Sequence, residues 1–138
     1  MHPASSKSGD GMSRGRGAVH TPSRRAEFQP SLPELDSAEQ IVLLELFCSV
    51  TERDIDALAT ALAQGDVPEV RRLSHRIRGA SISIGAAGMA LVAGELEWHP
   101  HVPGAHASAA EAVRTLREGL REVQACTERM VRVADHKP

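Results

Sequence analysis

The chain has 138 residues, enough for one domain built around one hydrophobic core. Its net charge of −2 excludes a strongly basic nucleic-acid binder, and no apolar run reaches the roughly 20 residues that a membrane-spanning helix needs. The apolar residues are mostly Ala, Leu and Val and the aromatics are only Phe28, Phe47 and Trp98, which favours packed helices over a sheet sandwich.

Residues 1–30 are rich in Ser, Gly, Arg and Pro and show no apolar periodicity, the pattern of a disordered linker or leader. Lys7, Arg14, Arg16, Arg24 and Arg25 are scattered through it as in a solubilising tail. A linker of this kind suggests a domain once carried at the end of a longer chain. The segment lacks the charged-then-apolar order of a secretion signal. The folded domain is expected over residues 31–138.

Periodicity begins after Pro33. Ser37 and Gln40 are spaced as a capping box, and a helix is expected from about Ser37 to Gln64. Its apolar positions Ile41, Leu44, Cys48, Thr51, Ile55, Leu58 and Leu62 recur at steps of three and four, and Gly65 supplies a stop. Asp66 with Glu69 opens a second helix, with Pro68 in the first turn, where a missing N–H costs little. This helix is expected to end at Ile84–Gly85. A shorter helix follows over about Ala87 to Trp98, and His99–Ala107, with Pro100, Pro103 and Gly104, reads as a loop. Ser108 and Glu111 are spaced to cap the last helix, whose inner face carries Val113, Leu116, Leu120, Val123, Thr127 and Met130. The fold class expected is all-α: an up-down four-helix bundle with a short N-terminal helix or extension. Cys48 and Cys126 stand in no metal or redox spacing and fall on apolar faces, so buried thiols in a reducing cytoplasm are the expectation.

The second helix carries the chemistry. On a helical wheel Val70, Leu73, Ile77, Ala80 and Ile84 share one narrow arc, which must be buried. His75 stands opposite, with Arg71 and Arg72 a turn before it and Arg78 a turn after it. Guanidiniums so placed suit a phosphoryl group, whose oxygens accept charge-assisted hydrogen bonds. Gly79 lies one turn beyond His75 in mid-helix, where glycine costs about 1 kcal/mol relative to alanine. Its lack of a side chain would let a partner surface approach the imidazole. Ile82 is apolar on the same outer face and would complete a small docking patch.

The run Leu73-Ser74-His75-Arg76-Ile77-Arg78-Gly79-Ala80-Ser81 resembles the signature of histidine phosphotransfer (HPt) domains. Upstream, Leu58-Ala59-Thr60-Ala61-Leu62 followed by Gly65-Asp66 is similar to the family's preceding helix end. Downstream, Ile84-Gly85-Ala86, Leu91 and Leu96-Glu97 follow in matching order and spacing, so the resemblance covers roughly residues 35–130. It implies that His75 is the phosphorylated residue, that Arg78 takes the place of a supporting lysine, and that Gly79 gives the partner access. Arginine for lysine at 78 and isoleucine for leucine at 77 depart from the family pattern, and the first alters the geometry of phosphoryl support. Arg71, Arg72 and Ile82 are the expected partner-docking residues.

The resemblance further implies a phosphorelay intermediate. A receiver-domain aspartyl phosphate would donate to His75, and another receiver would accept. The partners would be the receiver domains of a hybrid sensor kinase and of a response regulator. The domain would hold no cofactor or metal of its own, Mg²⁺ being expected in the partner receiver. No glycine-rich phosphate loop with lysine is present, so the chain is not expected to phosphorylate itself from ATP. A monomeric domain without nucleic-acid or direct membrane contact is expected. It would be cytoplasmic, free or as the cytoplasmic end of a membrane-bound sensor kinase.

Three other readings compete. A histidine-kinase dimerisation module also displays a histidine on a helical bundle, but there an acidic residue usually follows it, where Arg76 stands here. A non-catalytic helical adaptor would need none of the His75–Arg78–Gly79 set. A metal site at His99, His101 and His106 would be interrupted by Pro100 and Pro103 and lacks an evident fourth ligand.

Overall fold

A computed structural model describes residues 28–100 and 109–136. Among the described residues four helices follow one another: α1 (Ser37–Gln64), α2 (Val67–Ile84), α3 (Ala87–Trp98) and α4 (Ala109–Asp135). Two-residue connections at Gly65–Asp66 and Gly85–Ala86 force α1, α2 and α3 to run antiparallel. Each helix packs on the next, and α4 closes back onto α1, giving an all-α four-helix bundle.

The helix ends follow local chemistry. The capping box of α1 is one residue earlier than its spacing suggested. Asp36, not Ser37, is the cap: its carboxylate accepts from the Glu39 amide at 2.8 Å, and Glu39 accepts from the Asp36 amide at 3.0 Å. An aspartate holds a helix-end N–H with a full charge, which a serine hydroxyl cannot. Gln40 turns back instead to donate to the Leu32 and Leu35 carbonyls, pinning the segment before the helix. At α2 the box is half made. Asp66 accepts from the Glu69 amide at 3.2 Å, while the Glu69 carboxylate is drawn off by Arg72. Gly65 and Gly85 end α1 and α2 with positive φ of 67° and 82°. The cap assigned to Ser108 and the loop from His101 onward lie outside the described residues, as does the leader through residue 27.

The core is a column of Leu44, Ile55, Leu58, Val70, Leu73, Ile77, Ile84, Leu96, Leu116 and Val123, all but inaccessible to water. The expected inner face of α2 is buried, except that Ala80 is only partly so. Ser74 and Ser81 are buried as well. Phe47 and Ala61 join the α1 face, and Ala112 and Cys126 the α4 face. Residues 28–36, before α1, form an extension rather than a helix. The Ser31 amide donates to the Ile84 carbonyl at 3.2 Å, and Phe28 and Leu32 pack on the core. This strap crosses the α2–α3 turn and closes that end of the bundle.

Candidate functional site around His75

Burial of Val70, Leu73, Ile77 and Ile84 turns the opposite side of α2 outward. His75 stands on that side with its side chain 68% exposed. Its ring is nevertheless held. Nδ1 lies 2.8 Å from Oε2 of Glu97, in the last turn of α3. An ionised carboxylate only accepts, so in the neutral imidazole this contact puts the proton on Nδ1 and leaves the lone pair on Nε2.

Glu97 is the functional candidate that the helical wheel of α2 could not supply, because it lies 22 residues away on another helix. Its signal in the sequence was the Leu96-Glu97 pair, with Leu96 on the buried seam and a carboxylate next to it. Its side chain is 17% exposed. One oxygen meets His75; the other, Oε1, is buried without a hydrogen bond, 3.8 Å from Arg78 Nη1. The carboxylate therefore sits between an imidazole and a guanidinium, both of which offset the cost of withdrawing it from water.

The expected guanidinium cluster is divided. Arg71 Nε donates to the Glu97 backbone carbonyl at 3.3 Å, tying α2 to the end of α3. Arg72 makes two hydrogen bonds to Glu69, at 2.9 and 2.6 Å, and these hold the Glu69 carboxyl below its ordinary range. Arg76 pairs with Asp54 of α1 at 3.3 Å. Arg78 alone of the four shares a carboxylate with His75. Gly79 is exposed, and a Cβ built on it would meet nothing within 4 Å. Internal packing thus does not require glycine there. Ile82 is 57% exposed and lines a groove with Leu91, Gly94, Trp98 and Arg78.

A comparison with models of known protein families matches residues 42–126 to the Hpt domain. The chain belongs to the Hpt domain family. The matched span includes His75, Arg78, Gly79 and Glu97, and it runs from the second turn of α1 well into α4. Comparisons with curated proteins and with solved structures returned no match. Hpt domains serve phosphotransfer in phosphorelays, interact with receiver domains and carry no cofactor of their own; that general role is this chain's. Among the described residues, no group of three His, Cys, Asp or Glu side chains could hold a metal ion. His101 and His106, two of the three ligands weighed above, lie outside those residues. No helix among the described residues is long and apolar enough to cross a membrane.

Proposed function

We propose that His75 accepts a phosphoryl group from the aspartyl phosphate of one receiver domain and passes it to a second. The observation that carries this reading is the hydrogen bond between Nδ1 of an exposed histidine and a largely buried carboxylate. It fixes the ring and aims a free Nε2 lone pair at solvent. In transfer, Nε2 forms a bond to phosphorus as the bond to the aspartyl oxygen breaks, and the carboxylate leaves with the electron pair. Positive charge develops on the ring, and Glu97 accepts the Nδ1–H that shares it. Arg78 is the cation paired with the Glu97 carboxylate and is assigned to support the phosphoryl oxygens.

Gly79 leaves the approach to the ring open, and Ile82 with Leu91 and Trp98 offers the receiver an apolar surface beside it. Arg71 and Arg72, exposed on the same helix, are the cations that the receiver's acidic Mg²⁺ site would meet. The partners are taken to be receiver domains of a hybrid sensor kinase and of a response regulator, met by a monomeric domain in the cytoplasm. The free thiols of Cys48 and Cys126 fit that compartment.

The test is phosphotransfer from a panel of phosphorylated receivers to wild type and to His75→Gln. Acid-labile, base-stable label on the wild type alone is the expected result. Equal uptake by the variant would reject His75 as the acceptor.

A further inference from the structure

Gly94 is buried in the third turn of α3, where a glycine weakens a helix relative to alanine. Its backbone does not ask for glycine, since among the described residues only Gly65 and Gly85 are glycines with positive φ. What lies over it is the side chain of Arg78. A Cβ built at Gly94 would have Arg78 Cδ at 3.4 Å and Arg78 Nε at 3.5 Å as its near neighbours. A single methyl would make ordinary contact with the arginine stem, and a longer side chain extended over Arg78 would compete for the space that the stem occupies.

That placement reaches His75 in two steps. With its stem across Gly94, Arg78 sets Nη1 3.8 Å from Glu97 Oε1, an oxygen that is buried and has no hydrogen bond. The other oxygen of the same carboxylate takes His75 Nδ1 at 2.8 Å. We propose that Gly94 is a positioning residue of the phosphotransfer site: it leaves the bed in which Arg78 lies, so that the guanidinium steadies the Glu97 carboxylate that orients His75. The proposal rests on the reading of His75 as the phosphoryl acceptor. It also accounts for a helix-weakening residue at 94 opposite an arginine, whose planar head needs a fixed bed more than the point charge of a lysine does.

The experiment compares Gly94→Leu and Gly94→Gln, each with Arg78 and in an Arg78→Ala background. Two readings are taken. The ¹⁵N spectrum of the His75 ring distinguishes a proton on Nδ1 from one on Nε2 and needs no phosphoryl transfer. Uptake of phosphate from phosphoramidate, a small chemical donor, reports on Nε2 without a receiver. With Arg78 present, both replacements should deplete the Nδ1–H form and slow uptake by about fivefold. In the Arg78→Ala background the same replacements should change neither reading, because the side chain they displace is gone. General damage to the bundle would instead appear in both backgrounds. A wild-type ring spectrum in both Gly94 variants, or the same loss with and without Arg78, would overturn the proposal. Wild type that takes no label, while positions 94 and 78 remain coupled in the ring spectrum, would reject His75 as acceptor and uphold the positioning of its ring.

Discussion

At the scale of single residues, the exposed imidazole and the buried carboxylate have different tolerances. Glu97→Gln keeps an acceptor for Nδ1–H but removes the charge that stabilises the ring as it becomes cationic. Phosphotransfer should fall by about tenfold with helix content unchanged, and an unaltered rate would show that the charge is idle. Gly79 separates access from stability. Alanine there fits open space and should raise stability by about 0.5–1 kcal/mol in urea denaturation. A bulky residue such as leucine should keep the fold and block transfer from a receiver; equal transfer rates would remove the access argument. Cys48 has a thiol pushed up to about 11, first by burial and then by Glu45 and Glu52, against a hydrogen bond with Thr127. Well below pH 9 the thiol is neutral whether the chain is folded or not. Above that the unfolded chain ionises first, so stability should decline as pH climbs from 9 towards 11. Denaturation midpoints at pH 8 and pH 10.5 should differ less in Cys48→Ala than in wild type.

At the scale of elements, the α2–α3 turn leaves little room for change. Gly85 has φ of 82°, and an added Cβ would sit 2.6 Å from Cβ of Ser31 in the strap. Both penalties strike Gly85→Ala, the left-handed backbone and the collision. The expected loss is about 2 kcal/mol or more. Removing the opposing Cβ in Gly85→Ala/Ser31→Gly should recover most of the part due to the collision, the Ser31 amide staying 3.1 Å away, and leave the part due to the left-handed backbone. Within α2 the serines at 74 and 81 run against the usual logic of a helix face, since both hydroxyls are buried without a hydrogen-bond partner. Their small size spares room on a buried helix face. Ser81→Ala keeps that size, removes an unsatisfied group and improves helix propensity. It should raise stability by about 1 kcal/mol, read as a higher denaturation midpoint.

At the scale of the whole molecule, the bundle is uneven. α1 has 28 residues and α4 has 27, against 18 in α2 and 12 in α3. The long pair therefore outruns α2 by about 15 Å. The strap through Phe28 and Leu32 packs at that end, where two helices alone could not bury their apolar faces. The short pair, α2 and α3, carries the whole candidate site on one side. Ile77, wholly buried two residues beyond His75 and next to Arg78, is where core and chemistry meet. Ile77→Ala should cost about 2–5 kcal/mol in the denaturation of the bundle. Its effect on transfer should follow the folded fraction, whereas that of Glu97→Gln should not.

The sequence by itself determined the four helices and their inner faces, because apolar spacing, caps and glycine stops act over a few residues. It also placed His75, Arg78 and Gly79 together, since a helix puts side chains three and four apart on one surface whatever surrounds it. Asp36 as the cap lay one residue from the expected position, since two overlapping box patterns compete there and the stronger acceptor takes the amide. Tertiary structure alone decided which charges serve the imidazole. Arg72 stands a turn from His75 in sequence yet binds Glu69, and Arg78 finds Glu97 across the α2–α3 contact. A helical wheel shows which side chains share a face, but not which way a long one bends. That depends on the nearest carboxylate, which is on the same helix for Arg72 and on another for Arg78, and on empty space such as that above Gly94.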